Sequence, residues 1–354
     1  MTVTTLGVPT VRTAARDLPD TMPRQGPLLD AFGRAATDLR VSLTDRCNLR
    51  CTYCMPAAGL DWLPGEDLLT FDEITRLLRL AVTRLGITSI RFTGGEPLLY
   101  RRLEDVVATT ARLRPRPEIA LTTNGVGLAR RAAGLAAAGL DRVNVSLDTV
   151  DATHFAAITR RRRLDEVLEG LTAAAAAGLS PVKVNAVADP VTGIGDVVEL
   201  LRFCLRHGYQ LRVIEQMPLD ADHRWRRDAS LTAGEIVAAL REHFDLSPDP
   251  APRGSAPAGL WLVDGGPATV GVIASVSAPF CSACDRTRLT ADGQVRSCLF
   301  ATDETDLRTL LRTGRGDAEI ELAWRGAMWR KAAGHGIGEP GFVQPQRPMS
   351  AIGG

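Results

Sequence analysis

Six of the seven cysteines in this chain of 354 residues fall into two groups of three. The first group has the spacing Cys-x3-Cys-x2-Cys, and the second has the spacing Cys-x2-Cys-x13-Cys. A closed structural zinc or iron–sulfur site takes four protein ligands, so three thiolates leave one metal coordination position open. The pattern predicts an enzyme that holds a reactive group on one metal centre and a substrate on or near the other. The groups are Cys47, Cys51 and Cys54, followed by Cys281, Cys284 and Cys298.

The composition is that of a soluble globular protein, with 45% hydrophobic and 23% charged residues. The formal net charge of +1 gives no argument for a nucleic-acid partner or a membrane surface. No apolar run approaches the roughly 20 residues that span a bilayer, and the N-terminus lacks the pattern of a secretory signal. We therefore expect a cytoplasmic protein, in which clustered cysteines are metal ligands rather than disulfides.

Lysine is nearly absent from the chain. Of the 42 basic residues, only Lys183 and Lys331 are lysine. A lysine kept in so Arg-rich a sequence is a candidate for a site that needs a compact ammonium group, although survival by chance is the alternative. We favour a functional role at Lys183 over one at Lys331.

From Asp38 onward, short β-branched runs alternate with Ala-, Leu- and Arg-rich helical stretches. This alternation predicts right-handed βαβ units and a parallel sheet. The predicted strands are 39–43, 87–93, 118–123, 142–147, 182–187 and 210–215. The predicted helices are 71–85, 103–113, 128–138, 164–177 and 196–207.

Six such units are too few for a closed eight-stranded barrel. We therefore predict an α/β fold with a partial, open (βα)6 barrel, whose working residues lie at the C-terminal ends of the strands. Residues 1–36 show no clear periodicity and are expected to form a flexible extension. A Pro-, Gly- and Ser-rich stretch near 245–265 predicts a boundary between a barrel at 37–245 and a smaller C-terminal region at 246–354, which covers the barrel opening.

The first cysteine group, with Tyr53 beside its last member and the later sequence Thr93-Gly-Gly-Glu-Pro97, resembles the radical S-adenosylmethionine (SAM) superfamily. The resemblance implies a [4Fe–4S] cluster whose fourth iron binds SAM and whose reduction releases a 5′-deoxyadenosyl radical. Glycines allow close approach of the backbone to a ligand, and Glu96 offers a carboxylate to the SAM ammonium. A zinc site that lacks one ligand is the alternative.

Arg286 and Arg288 alternate directly after the cysteine pair of the second group, so both can face the same side. Thiolates alone do not explain two such arginines, whereas an anion or a purine edge does. A surface β-hairpin with solvated arginines is the alternative.

Six segments in the same order resemble the molybdenum cofactor biosynthesis protein A family, the GTP 3′,8-cyclases, from about Asp38 to the last residue. They are DLRVSLTDRCNLRC from residue 38, RFTGGEPL from 91, LTTNG from 121, NVSLD from 144, CSACDRTR from 281, and the terminal Gly353-Gly354.

This resemblance implies two [4Fe–4S] clusters, one at each cysteine group, with the second acting as an auxiliary cluster whose open iron meets the guanine ring. It implies that SAM is contacted by Tyr53, Gly95, Ser146 and Met217. It implies that GTP is surrounded by Arg40, Arg91, Thr122, Lys183, Arg212, Arg286 and Arg288. The tail residues Gly353 and Gly354 are expected to reach the catalytic centre beside Arg40. One departure is Ser89, where family members often carry a basic residue, and this leaves the arrangement of the phosphate contacts open.

The implied reaction converts GTP to (8S)-3′,8-cyclo-7,8-dihydroguanosine 5′-triphosphate in molybdenum cofactor biosynthesis, after the adenosyl radical removes the ribose 3′ hydrogen. The resemblance also implies an electron donor such as flavodoxin or ferredoxin, and transfer of the product to cyclic pyranopterin monophosphate synthase. The oligomeric state stays open, with a homodimer as one option. Two other functions are weighed: another radical SAM enzyme with an auxiliary cluster, such as a peptide-modifying enzyme, and a non-enzymatic iron–sulfur or zinc module.

Overall fold

A mostly parallel sheet organises the chain in this computed structural model, which describes residues 19–189, 193–220 and 223–353. The order of its twelve strands is β14-β13-β12-β3-β4-β5-β6-β7-β8-β11-β10-β9, and every pairing from β12 to β11 is parallel. The strands of the chain are β1 Leu28–Leu29, β2 Ala35–Ala36, β3 Asp38–Ser42, β4 Ser89–Thr93, β5 Glu118–Thr123, β6 Arg142–Ser146, β7 Val182–Val187, β8 Gln210–Ile214, β9 Leu246–Pro248, β10 Gly259–Val263, β11 Thr269–Ile273, β12 Arg286–Leu289, β13 Gln294–Arg296 and β14 Thr305–Asp306.

Helices follow most of the parallel strands. They are α1 Phe71–Arg84, α2 Leu103–Ala111, α3 Ala132–Ala138, α4 Ala152–Thr159, α5 Leu164–Ala176, α6 Ile194–His207, α7 Ala233–Arg241, α8 Leu307–Arg312, α9 Asp317–Trp329 and α10 Met349–Ile352. The outer strands β14 and β9 do not pair with each other among the described residues, so the sheet stays open as the sequence predicts. No described helix is both long enough and apolar enough to cross a membrane.

The six predicted strands are confirmed to within two residues at each end, and all five predicted helices are present. Strong local signals explain this agreement. Helix α1 begins with a capping box, in which the Thr70 hydroxyl accepts from the Glu73 N–H and the Glu73 carboxylate accepts from the Thr70 N–H. Its apolar positions, such as Leu77 and Ala81, recur at helical spacing and are fully buried.

Residues 19–36 pack against the folded molecule, although the sequence analysis assigned them to a flexible extension. Leu28 is fully buried, and its backbone N–H donates to the carbonyl of Leu85 (3.0 Å). The Asp30 carboxylate accepts two backbone N–H groups in the turn between β1 and β2. Two-residue strands are too short to show periodicity, so the sequence pattern did not indicate them. Residues 1–18 lie outside the described residues.

The C-terminal region attaches to both edges of the barrel wall. Strands β9 to β11 extend the wall beyond β8, and β12 to β14 extend it beyond β3. The predicted boundary stretch 245–265 therefore contains β9 and β10, which occupy one end of the same sheet. The segment 274–285, which carries Cys281 and Cys284, runs from one edge of the wall to the other.

Alternation along the strands separates the core from the barrel interior. On β7, Val182, Val184 and Ala186 are buried in the main apolar core, while Lys183 and Asn185 between them are only partly buried. Successive strand residues point to opposite faces. The apolar residues therefore fix each strand against the helices, and the polar residues share the inner face.

Candidate active site

Two adjoining cavities open along the inner face of the barrel. The loop cavity is lined by the first cysteine group and the strand ends near it, and the arginine cavity is lined by the second cysteine group and five arginines. The two cavities adjoin, because Thr122, Asn185, Ile214, Met217 and Met349 line both.

The first cysteine group occupies the loop that follows β3. Cys47, Cys51 and Cys54 are free thiols and all line the loop cavity. Burial raises the pKa of each thiol, to about 12 for Cys54. The side chain of Arg160 holds the loop by donating to the carbonyls of Arg50 (2.8 Å) and Met55 (3.1 Å).

This loop fits an iron–sulfur cluster by its donor set. Three thiols, unpaired with one another, face one cavity, and thiolates are the ligands that iron–sulfur clusters take. No group of three His, Cys, Asp or Glu side chains in the described ranges is arranged to hold a single metal ion. The fit to a cluster therefore rests on the thiol set and on the cavity beside it.

The four residues predicted to contact SAM all line the loop cavity: Tyr53, Gly95, Ser146 and Met217. The Tyr53 hydroxyl donates to the Asp148 carboxylate (2.7 Å), whose other oxygen accepts from the Val187 N–H (2.8 Å). Burial raises the pKa of Asp148 to about 6. Asp148 therefore orients the tyrosine from the strand end behind it.

Gly95 lies where a side chain has no room. A Cβ atom at this position would collide with the backbone carbonyls of Asp45 and Arg46. The backbone of the Gly-Gly turn can therefore lie directly beside the cysteine loop, which a larger residue would push away.

The Glu96 carboxylate does not face the cavity, contrary to the expectation that it is offered to SAM. It is fully buried and accepts hydrogen bonds from the Thr123 hydroxyl (2.7 Å) and from the backbone N–H groups of Asn124 (2.7 Å) and Leu98 (2.9 Å). Burial raises the pKa of Glu96 to about 7. Glu96 joins the ends of β4 and β5, and the sequence pattern could not distinguish this structural role from ligand binding.

Arginines form a row across the arginine cavity. Arg288, Arg40 and Arg91 are register partners on the neighbouring strands β12, β3 and β4. Like charges on adjacent strands repel, so this row is unfavourable without an anion. Arg286 and Arg212 complete the five arginines, and no Asp or Glu is among the described lining residues.

Several polar atoms in this row lack protein partners. The Nε atoms of Arg40, Arg91 and Arg286 are buried without a hydrogen-bond partner among the described residues. The nearest carboxylate belongs to Asp38, 3.9 Å from Arg40 and 3.7 Å from Arg286. Burial opposes ionisation of Asp38, but the surrounding arginines bring its pKa below the usual value. With one carboxylate within 4 Å among the described residues, the row stays strongly cationic.

Arg286 and Arg288 belong to a β-hairpin, formed by β12 and β13, but they are not solvated. They are 8% and 5% exposed. Burial, with the charge of Arg40, lowers the pKa of Arg288 to about 9. The surface-hairpin alternative is therefore wrong about their exposure.

Lys183 lies on the inner face of β7, two residues before Asn185. Burial lowers its pKa to about 7, with further lowering by the positive charges of Arg212, Arg142 and Arg91. Thr122 lines both cavities, whereas Lys183 is not among the residues that line either one.

Arg142 is a cation that the sequence analysis missed. It begins β6, its Nη1 is buried without a partner among the described residues, and its Nε donates to Glu118 (2.5 Å). Glu118 also accepts a hydrogen bond from Ser89 (3.4 Å). Arg142 and Asn144 are two residues apart on β6, so both lie on the inner face of the barrel. This two-residue alternation was the feature of the sequence from which the position of Arg142 could have been predicted.

The second cysteine group lines the arginine cavity with all three thiols. Burial acts to raise the pKa of Cys284, but the positive charges of Lys331 and Arg286 bring it below the usual value. The Arg34 guanidinium donates to the carbonyl of Cys281 (2.7 Å). Three thiols at one cavity again match the ligand type of an iron–sulfur cluster.

The C-terminal tail lies between the two cavities. Ser350 donates its backbone N–H to the Cys54 thiol, and Arg288 donates to the carbonyl of Gly353. A Cβ atom at Gly353 would collide with the Ser42 hydroxyl and lie 2.7 Å from a Thr93 methyl group. The tail therefore contacts the first cysteine group through Ser350 and the arginine row beside the second group through Gly353. Only glycine fits at position 353. Gly354 lies outside the described residues.

Comparison with known proteins defines the class. The sequence profile of the Radical SAM superfamily matches residues 41–204, and that of Molybdenum Cofactor Synthesis C matches residues 209–337. A crystal structure of Streptococcus suis SuiB bound to S-adenosylmethionine superposes with a TM-score of 0.52 at 14% identity, over 81% of this chain and 68% of that one. These matches define a radical SAM fold.

Close relatives narrow the assignment. The GTP 3′,8-cyclase of Mycobacterium marinum is 74% identical over the full length of both chains, and the GTP 3′,8-cyclase 2 of Mycobacterium tuberculosis is 71% identical, also over full length. The chain belongs to the GTP 3′,8-cyclase family, as the six sequence segments predicted.

Proposed function

We propose that this chain is the enzyme that its family name describes. It is a radical SAM GTP 3′,8-cyclase, which converts GTP to (8S)-3′,8-cyclo-7,8-dihydroguanosine 5′-triphosphate in molybdenum cofactor biosynthesis. Its cofactors are SAM and two [4Fe–4S] clusters, and when bound they supply the 5′-deoxyadenosyl radical that removes the ribose 3′ hydrogen. The C-terminal profile match favours this function over that of a peptide-modifying radical SAM enzyme.

One observation carries the proposal for the substrate. The row of Arg288, Arg40 and Arg91 leaves buried donors unsatisfied and crosses a cavity that is lined by the second cysteine group and adjoins the cavity of the first. A triphosphate is the kind of multiply charged anion that such a row stabilises. We therefore assign GTP to the arginine cavity, with contacts from Arg40, Arg91, Thr122, Arg212, Arg286 and Arg288. Lys183 lies on the inner face of β7 outside the lining of this cavity, and we propose it as a further contact of the bound GTP.

The residues of the loop cavity would then hold the other reactant. Cys47, Cys51 and Cys54 would hold the SAM cluster, and SAM would contact Tyr53, Gly95, Ser146 and Met217. Cys281, Cys284 and Cys298 would hold the auxiliary cluster. The shared wall of the two cavities supports this arrangement, because the ribose must lie beside the radical source for hydrogen transfer to occur.

The protein's own contribution is to position the two reactants. Arginines fix the phosphate end of GTP, and the tail at Gly353, with Arg40 nearby, would orient the ribose. The concave shape of both cavities would limit access of water to a reactive radical. Arg142 is a further candidate for a contact with the triphosphate. Arg142 and Ser89 both donate hydrogen bonds to Glu118, and Ser89 is the position where family members often carry a basic residue.

The division of the chain into a barrel at 37–245 and an auxiliary-cluster region at 246–354 stays a proposal. The C-terminal profile begins earlier, at residue 209, and so includes β8, the strand with which β11 pairs. An electron donor such as flavodoxin or ferredoxin, transfer of the product to cyclic pyranopterin monophosphate synthase, and a homodimer are likewise proposals.

The decisive test is anaerobic incubation of the reconstituted protein with GTP, SAM and dithionite, followed by identification of the products. We expect 5′-deoxyadenosine and the cyclised dihydroguanosine triphosphate in a ratio of about one to one. SAM cleavage without any change in GTP would contradict the proposal, and a control without GTP measures uncoupled cleavage.

A further inference from the structure

Lys331 is a buried ammonium group for which the proposed reaction has no use. It lies two residues beyond α9 and is 4% exposed. Its amine donates to the carbonyl of Cys284 (3.2 Å), to the carbonyl of Arg286 (2.9 Å) and to the sulfur of Cys284 (3.3 Å). These three bonds use all three donors of an ammonium group. The lysine is therefore built into the segment that carries the second cysteine group.

Among the described residues, the anion-forming group that Lys331 contacts is a cysteine thiol. No Asp or Glu in the described ranges forms an ion pair with it. A buried charge without a counter-charge is strongly unfavourable, so buried lysines are almost always paired. Cys284 is the described group placed to supply that counter-charge when its sulfur is a thiolate, as it is when it binds a metal.

Three of the other thiols in the two groups accept hydrogen bonds from neutral donors. Cys47 accepts from the Asn124 amide at 3.8 Å, and Cys54 and Cys281 accept from backbone N–H groups. In the described hydrogen bonds, Cys284 alone accepts from a charged side chain. The two cysteine groups therefore differ in charge environment.

We propose that Lys331 is a positioning residue that raises the reduction potential of the auxiliary cluster by placing a fixed positive charge against its Cys284 ligand. The inference rests on the proposed assignment of the second cysteine group as cluster ligands. A [4Fe–4S] core in its 2+ state with three thiolates carries one net negative charge, and it gains a second when it takes up one electron. A nearby positive charge stabilises the more negative form. The electron is thereby stabilised on the cluster that faces the arginine cavity.

The test compares Lys331→Met, Lys331→Gln and Lys331→Arg in the full-length reconstituted protein. The measurement is a redox titration with dithionite, in which each cluster is reduced from [4Fe–4S]2+ to [4Fe–4S]+ and followed by EPR. Addition of SAM changes the signal of the cluster that binds it, and so separates the two signals. The Gln variant keeps a hydrogen-bond donor without the charge, and the Arg variant keeps the charge.

We expect both neutral variants to lower the equilibrium constant for reduction of the auxiliary cluster about tenfold, which is about 59 mV for one electron. The SAM cluster should not change, and the Arg variant should stay closer to the native potential. Arg325→Met is the matched control, because Arg325 is also a buried cation but donates to the Glu321 carboxylate and to the backbone carbonyls of Gly26, Pro27 and Arg84, not to a cysteine. It should leave both potentials unchanged.

An unchanged potential in both neutral variants, with the cluster retained, would overturn the role of Lys331. If the neutral variants lose the auxiliary cluster, the iron content of the three variants decides instead. Retention of the cluster iron in the Arg variant supports the role of the charge. Equal loss of iron in all three variants overturns that role. A native protein with about four irons rather than about eight would remove the auxiliary cluster itself. That result would overturn both the proposed cluster assignment and the role of Lys331. Iron analysis of the native protein distinguishes this outcome from one in which the cluster is present but Lys331 does not affect its potential.

Discussion

At the scale of single residues, the pKa of Lys183 connects charge to substrate binding. Burial and the charges of Arg212, Arg142 and Arg91 bring this pKa to about 7, with Glu118 acting weakly in the opposite direction. A bound triphosphate would favour the ammonium form and raise the pKa. Below pH 7 the lysine is already charged in the free protein, so the affinity for GTP is at its maximum there.

We therefore predict that GTP affinity falls as pH rises above about 7, by up to tenfold per pH unit until the pKa of the bound state is reached. Calorimetric titration at pH 7.5 to 9, in two buffers of different ionisation enthalpy, should show uptake of a proton on binding. The terminal phosphate is already ionised in this range, since its second pKa is about 6.

Two variants control this experiment. Lys183→Arg keeps a permanent charge and should remove most of the pH dependence. Lys183→Ala should weaken GTP binding by about 1.5–3 kcal/mol, the scale of a hydrogen bond to a charged group, with little effect on SAM. A pH profile that persists unchanged in the Arg variant would assign the titration to another group.

Residue types in the sequence identified most of this site, but not how each side chain points. The cysteine groups were predicted from spacing alone. Lys183 was singled out by its rarity, and its contact with GTP stays a prediction. Glu96 was interpreted as a ligand contact because its hydrogen bonds to Thr123 and Asn124 depend on where two strands end. Lys331 was undervalued because its partner Cys284 is 47 residues away, and only the fold brings the two together.

At the scale of elements, the short helix α10 depends on an anchor just before it. Arg347 pairs with both oxygens of Asp292 (3.2 and 2.8 Å) and with Glu304 (2.8 Å). The pair is largely buried, so its loss leaves uncompensated charge. Arg347 therefore holds the tail in the position from which Gly353 reaches Arg288.

We predict that Arg347→Met lowers the rate of GTP cyclisation about 10²-fold, because a small displacement of a positioning element is enough for such a loss. Iron content and SAM binding should stay near native. The product assay described above measures the rate. The matched control is Arg226→Met, which removes an exposed ion pair with Asp228 and should have no effect.

Deletion of Gly353 and Gly354 is the more severe change at the same element. Cyclisation should fall by orders of magnitude while both clusters, SAM binding and GTP binding are largely retained. A short peptide that ends in Gly-Gly is expected to restore part of the rate. A truncated protein that cyclises GTP at the native rate would show that the tail has no catalytic role.

Elements with strong local signals were the ones that the sequence predicted. The parallel strands are β-branched runs, and their positions were right to within two residues. Helix α4 was missed, because its eight residues follow β6 with little amphipathic pattern, although Asp151 caps it by accepting from Thr153 and His154. Strands β9 and β10 were missed because Pro, Gly and Ser dominate that stretch, and pairing with an existing sheet edge outweighs local preference.

At the scale of the whole molecule, the two cysteine groups should be separable. We predict that Cys47→Ala abolishes SAM cleavage, and that Cys298→Ala keeps some SAM cleavage but stops conversion of GTP. Parallel assays of 5′-deoxyadenosine and of cyclised product distinguish the two variants. Cys204→Ala is the control, since this buried thiol lies in the core of α6 away from both cavities. Full cyclase activity in Cys298→Ala would contradict the two-cluster assignment.

The crossing of segment 274–285 between the two edges of the wall has a consequence for damage by oxygen. This segment carries two of the thiols proposed to bind the auxiliary cluster and spans the gap between β11 and β12. Oxidative loss of that cluster would remove the cross-link from the segment to Cys298, and residues 277–279 and 282–283 within the segment are already exposed. Exposure to air should therefore convert this segment into the first site of cleavage in limited proteolysis, while the SAM-side loop, held by Arg160, resists longer.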